Sequence, residues 1–342
     1  MPRRMGELRR LLAEWNSLVP LAQERGIRHV GTMRVQAREY FHMDRVVARQ
    51  RVADLRAQVA PFFAPNISAP VEQQASDTFG VELECYMPRG TTRSQLAQLI
   101  RDAGVLCQEE HYNHSTRTHW KVTTDGSLGY DYGVEIVSPP LSGEAGFDAL
   151  RKVCQVLTRL RCKVNKSCGL HVHVGARHRS VANLKSLVRA YKHFELVIDS
   201  FLAPSRRGNS NQFCQSSHIS NETNFDVATT VREVGLASGQ YGFDHARSSG
   251  RYRKLNLMSF PGYGTVEFRQ HQGTVEGRKA EMWVRFCLRM VASSSSMTHQ
   301  EVVMRDNTFA GFASFLGLTQ VEQDYFNERR EEFASREQRR AA

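Results

Sequence analysis

Cys168-Gly169-Leu170-His171-Val172-His173-Val174 sets two imidazoles two residues apart among apolar neighbours. Alternate side chains of a β-strand point to opposite faces, so this stretch predicts a strand with one apolar face and one imidazole face. Two further stretches read the same way: Phe79-Gly80-Val81-Glu82-Leu83-Glu84 and Thr265-Val266-Glu267-Phe268-Arg269-Gln270-His271. Val81, Leu83 and Cys85, then Leu170, Val172 and Val174, then Val266 and Phe268, would each bury one face of their strand. The opposite face collects Glu82, Glu84, His171, His173, Glu267, Arg269 and His271. Carboxylates gathered so closely repel unless positive charge sits among them, and a divalent cation is the simplest remedy. The pattern therefore predicts a metal and phosphate site.

Each element has a plainer reading when taken alone. Glu-x-Glu is ordinary on the wet face of a sheet. Asp125-Gly126 is a strong turn signal, because both residues tolerate positive φ, and it predicts a hairpin between strands near 117–124 and 133–137. Glu135, between Val134 and Ile136, also faces away from the apolar layer, and Pro139-Pro140 end that strand. His171 and His173 are harder to dismiss, since i and i+2 on one strand face reach one metal, or a metal and the phosphate bound to it. Glu267 suits a cation and Arg269 a bidentate grip on phosphate, the rival being a cross-strand salt bridge. Arg251, Arg253 and Asn256 precede that strand.

The 342-residue chain, 41% hydrophobic, is long enough for one large domain with an appendage or for two domains. Nothing approaches the roughly 20 consecutive apolar residues of a membrane span, and the basic start, Met1 to Arg10, lacks the apolar core of a signal peptide. A cytoplasmic protein is expected. Its seven cysteines (85, 107, 154, 162, 168, 214 and 287) contain no C-x-x-C pair and read as small buried residues. The net charge of +11, much of it arginine in the first 60 residues, suits an anionic ligand such as a nucleotide and leaves a polyanion or protein partner open for the N-terminal helices.

Three regions are expected. Residues 1–75 form a basic helical extension, with apolar residues at helical spacing from Leu8 to Val19 and from Val35 to Val59, closed by Pro61, Pro65 and Pro70. Residues 76–298 form the site-bearing domain. It places helices at about 94–103, capped by Ser94, at 146–161, at 180–202 and at 277–294, and polar active-site loops at 204–250. Residues 299–342 form a helical tail.

Taken in order, Gly-x-Glu-x-Glu, Asp-Gly-Ser with Gly-x-Glu-x-Val-Ser-Pro, Cys-Gly-Leu-His-Val-His-Val and Val-Glu-Phe-Arg-x-x-x-Gly-Thr resemble the amidoligase family of carboxylate-amine ligases. That family is similar to the catalytic domains of glutamine synthetase and glutamate-cysteine ligase. The resemblance covers about 78–295. It implies an α+β fold, a curved and mainly antiparallel sheet with helices packed on the convex face. It also implies ATP with Mg²⁺ or Mn²⁺ on the concave face, and amide or isopeptide formation through an acyl phosphate. On that pattern Glu82, Glu84, Glu135, His171 and Glu267 are metal ligands and His173 lies near the phosphates. Arg269 holds the transferring phosphoryl group, and Arg253 and Asn256 lie on the nucleotide side. The substrates would be an amino-acid or peptide carboxylate and an amine acceptor, and the resemblance leaves an oligomer open. One acid is missing: glutamine synthetases place two carboxylates between the first strand and the His strand, and only Glu135 fills that role, Glu109, Glu110 and Glu144 being badly spaced.

Two rival readings use the same residues. His171, His173 and Glu82 would suit a zinc-dependent hydrolase with an open position for water, which leaves Arg269 without a task. Alternatively, a ligase-like core would serve as a non-enzymatic scaffold that its basic helices dock to nucleic acid or a larger assembly.

Overall fold

The computed structural model describes residues 11–12, 15–16, 18–19, 45–59, 77–128, 132–243 and 249–341. Seven strands, β1 (Phe79–Tyr86), β2 (Cys107–Glu109), β3 (Trp120–Thr123), β4 (Gly133–Val137), β5 (Gly169–Gly175), β6 (Leu255–Asn256) and β7 (Thr265–Gln272), form one open sheet in the order β2-β3-β4-β1-β5-β7-β6. Every neighbouring pair is antiparallel except β2 and β3. The expected α+β class and mainly antiparallel sheet are what the chain adopts.

Alternation decides the two faces. Val81, Leu83, Cys85, Val134, Ile136, Leu170, Val172, Val174, Val266 and Phe268 are buried in one continuous core with the helices. The helices are α1 (Arg45–Val59), α2 (Arg93–Asp102), α3 (Gly143–Arg159), α4 (Val181–His193), α5 (Glu195–Ser200), α6 (Gly277–Ser294), α7 (Phe309–Leu316) and α8 (Gln320–Ala341), with other short helices between them. Of these eight, all but α1 contribute residues to that core. α6 packs on β5 and between α3 and α4, inserting Trp283, Phe286 and Met290. The other face of the sheet is polar and floors a cavity.

Several element boundaries differ from expectation for local reasons. Thr92, not Ser94, caps α2: its hydroxyl accepts from the Gln95 amide while the Gln95 side chain accepts from the Thr92 amide, a reciprocal pair that a Ser two residues later cannot form. The helix expected over 180–202 breaks at Phe194 into α4 and α5, and Ser180 with Asn183 closes the same kind of box at its start. The stretch before β7 that carries Arg253 and Asn256 contributes only the two-residue strand Leu255–Asn256. Asp125-Gly126 is not a two-residue hairpin turn; a 3-10 turn over Gly126–Leu128 opens a longer connection between β3 and β4.

In the N-terminal region, residues 11–12, 15–16 and 18–19 are helical with Trp15, Leu18 and Val19 buried, and α1 falls within the second expected amphipathic run. Pro61, Pro65 and Pro70 lie outside the described residues. Among the described residues no helix is long and apolar enough to cross a membrane.

Candidate functional site

The register of the sheet brings the charged residues together. Glu84 lies directly opposite Glu135 across β1 and β4, Glu82 opposite His171 across β1 and β5, and His173 opposite Glu267 across β5 and β7, with Asn256 of β6 next in that row. All of them line one cavity of about 720 Å³.

Two groups of ligand atoms emerge. In the first, carboxylate oxygens of Glu84, Asp125 and Glu135 lie within 4.8 Å of one another; in the second, Glu82, His173 and Glu267 do the same. Glu84 Oε2 also accepts the Gly169 amide at 2.6 Å, so the turn into β5 fixes its rotamer. Burial pushes the Glu84 carboxyl above its ordinary pKa. Burial pushes Glu135 up much further, reinforced by the negative charges of Glu82, Asp125 and Glu84.

The second group is balanced internally. Burial works against the Glu82 carboxylate, but the imidazoles of His171 and His173 outweigh it and hold its pKa well below the usual range. His171 Nδ1 is 3.0 Å from Glu82 Oε2 and 3.7 Å from Glu267 Oε1, while its Nε2 is 3.9 Å from Glu84 Oε1, so this ring stands between the two groups. His173 Nε2 is 3.4 Å from Glu82 Oε1, and its Nδ1 is 2.9 Å from the Thr265 hydroxyl. Glu267 accepts from Asn256 Nδ2 at 2.6 Å and from the Arg269 guanidinium, which also donates to the Phe213 carbonyl at 3.3 Å. Burial opposes the Glu267 charge, and Arg269 with the two imidazoles restores it.

Two expected members lie elsewhere. Between Leu170 and Val172 the pairing of β5 with β7 shifts register, so that His271 falls opposite Leu170 on the apolar face, not with Glu267. There its ring packs on Trp283 with centroids 5.1 Å apart, and burial drives its pKa down to about 3. Arg253 is not among the residues that line the cavity; its guanidinium donates to the carbonyls of Gly239 and Ser216 and fixes the loops behind β6. The remaining expected residues, Glu82, Glu84, Glu135, His171, His173, Asn256, Glu267 and Arg269, all face the cavity.

Asp125 is the acid that sequence reasoning lacked. Its Asp-Gly pair reads as a turn, and its spacing from Glu135 matches no strand periodicity; the signal available was an acid two residues past a strand whose Thr123 pairs with Glu135. Glu110 is committed to Arg117 and His119, Glu109 to Arg93, and Glu144 to Arg151.

The cavity has a roof as well as a floor. Parallel neighbours such as β2 and β3 need a crossover connection, and here residues 110–119 make it without a helix, passing over the polar face. Lys121 Nζ anchors this roof from below by donating to the carbonyls of Asn113 at 2.9 Å and Ser115 at 3.2 Å. From the far side, the Tyr263 hydroxyl donates to the His114 carbonyl at 3.0 Å.

A family model described as "Putative amidoligase enzyme" matches residues 75–291. No curated protein matches the chain.

Proposed function

The chain belongs to the amidoligase enzyme family, and from that premise we propose that it is an ATP-dependent ligase joining a carboxylate to an amine through an acyl phosphate. The observation that carries this reading is the pair of three-ligand groups on one cavity floor with the Arg269 guanidinium beside them.

The donor set fits divalent cations. Five carboxylates and one imidazole make up the two groups, and such oxygen-rich sets suit Mg²⁺ or Mn²⁺ better than zinc. Glu135, crowded by three other carboxylates, fits a site whose charge a cation balances. Glu84, Asp125 and Glu135 would hold one ion, and Glu82 and Glu267 with His171 or His173 a second. Bound there, the ions would neutralise phosphate oxygens.

The chain's own residues would do the rest. Arg269, its head fixed by Glu267 and the Phe213 carbonyl, would grip two oxygens of the γ-phosphoryl group and stabilise charge as it spreads during transfer. His173, oriented by Thr265, would hydrogen-bond a phosphate oxygen, and Asn256 would keep Glu267 in its rotamer. Transfer breaks the bond from the γ-phosphorus to ADP and forms one to the substrate carboxylate, turning a poor electrophile into an acyl phosphate. An amine then attacks the acyl carbon, phosphate leaves with the C–O bond, and the amine gives up its proton. The 110–119 roof would narrow the access of competing water to that intermediate.

Incubating the protein with ATP, Mg²⁺ and a pool of amino acids and peptides tests this. The expected result is ADP together with a product lighter by one water than its two precursors, and a complete pool that yields no ADP rejects it.

A further inference from the structure

Beyond His173 the cavity continues past the ends of β5 and β7, and there the geometry points to an oxyanion subsite headed by Arg177. The other arginine and lysine side chains on the lining are engaged. Arg117 pairs with Glu110, Lys121 with the roof carbonyls, Arg206 with the Cys168 carbonyl, Arg251 with the Tyr252 hydroxyl, and Arg269 with Glu267. Arg177 lines the same cavity, is exposed there, and has no hydrogen bond or ion pair among the described residues. A guanidinium offers five donors in a planar fork that matches phosphate or carboxylate oxygens.

Its position is built rather than incidental. A β-carbon at Gly264 would lie 2.6 Å from Arg177 Nε and 3.0 Å from its Cζ, so the guanidinium rests against a bare α-carbon. Gly264 holds a left-handed φ of 69°, and its carbonyl accepts the Ala176 amide at 2.8 Å, tying the ends of the two strands beneath the arginine. The floor between is bare at Gly80, which lies opposite His173, whereas Gly175, opposite Thr265, is covered by the Thr78 side chain. A β-carbon at Gly80 would meet nothing closer than the Ser138 hydroxyl at 3.6 Å, which leaves room for a ligand to lie on the backbone. Asp77, the acid beside His178, is already held by Arg179 in two bonds of 2.9 Å and does not compete for Arg177.

The ligand chemistry is an oxyanion placed beyond the second ligand group, either a phosphate of the nucleotide or a carboxylate of the acid substrate. This deepens the ligase reading and rests on it for which oxyanion is meant. Titration calorimetry on the full chain, on Arg177→Gln and on Arg177→Lys separates the sources with two probes, tripolyphosphate with Mg²⁺ and glutarate. Arg177→Gln is expected to weaken one of them about tenfold with no change in melting temperature, and Arg177→Lys to recover part, as a point charge without the fork. Weakening of tripolyphosphate alone assigns the nucleotide, and of glutarate alone the acid. Binding of both probes equally by wild type and Arg177→Gln overturns the subsite but not the ligase. A wild type that binds neither overturns both, whereas Arg177-dependent binding with no ADP formed from any substrate pool keeps the subsite and rejects the ligase.

Discussion

Asp125, Glu84 and Glu135 put three carboxylates within 4.8 Å, and the energetic sign of that crowding depends on what shares the space. Without a cation the three repel; with one they are ligands. Asp125→Asn is therefore expected to act in opposite directions: in EDTA it raises the melting temperature by about 2 °C, as roughly 1 kcal/mol of repulsion is relieved. With Mn²⁺ it weakens binding by about tenfold or more, since losing a direct ligand costs at least as much as losing its supporting hydrogen bond. Thermal scans with and without Mn²⁺ read both effects, and a variant destabilised in EDTA would assign Asp125 a structural role instead. Arg269 carries a different burden, because its guanidinium neutralises Glu267 and also faces the cavity. Arg269→Ala is expected to cut ATP turnover by about two to three decades with the sheet retained by circular dichroism. Near-normal ADP release from that variant would reject the phosphoryl-gripping role.

At the scale of elements, the strands β1, β4 and β5 were legible because their pairing around the site is regular and parity alone places side chains. Glu82, Glu84, Glu135, His171 and His173 follow from counting by twos. Parity fails where pairing slips: the irregularity between β5 and β7 turns His271 to the core while leaving Glu267 and Arg269 at the cavity, and no residue type in that strand announces the slip. Asp125 and Arg253 escaped for a related reason, since loop geometry, not alternation, sets where they point. The 110–119 connection is the clearest case of an element invisible to periodicity. It has no apolar stripe, and polar bonds to Lys121, Glu110 and Tyr263 hold it in place. Tyr263 also rests edge-on against the His173 ring, centroids 6.4 Å apart, so it ties the roof to the second ligand group. Tyr263→Phe deletes one hydroxyl and keeps that ring contact. It is expected to speed tryptic cleavage after Arg117 about fivefold, the equivalent of one hydrogen bond of about 1 kcal/mol, while cleavage within the sheet stays unchanged. Equal cleavage rates would show that Tyr263 does not latch the roof.

Across the whole molecule, the layer behind the sheet is tied together by buried polar groups that must stay neutral or paired. Lys254, fully buried, sits 2.6 Å from Glu195 and 2.7 Å from Asp199 and braces the β6–β7 hairpin against α5. His193, half-buried, and His271, buried, are different, being neutral donors. His193 lies 2.9 Å from the Arg305 carbonyl and joins α4 to the C-terminal helices, with Arg56, Arg189 and Asp306 the charges around it; burial takes its pKa down to about 4. His271 lies 2.6 Å from the Gln272 carbonyl, with Arg206, Lys279 and Arg329 around it, and burial takes its pKa down to about 3. Both values lie below the roughly 6.5 of an unfolded histidine, so below pH 6.5 the unfolded chain takes up protons that the native chain refuses. Each ring therefore removes about 1.4 kcal/mol of stability per pH unit as pH falls from 6.5 towards its folded pKa, and contributes no slope above 6.5. Burial also raises the Glu84 and Glu135 carboxyls above their ordinary pKa, so the difference between curves is the informative quantity. Urea unfolding of wild type, His193→Gln and His271→Gln from pH 7.5 to 4.5 should give curves of equal slope above pH 6.5. Below it, each glutamine, which still donates but does not ionise, should flatten the fall by about 1.4 kcal/mol per pH unit. Curves that stay parallel down to pH 4.5 would mean that the two rings accept protons in the folded state and that the interior behind the sheet is open to water.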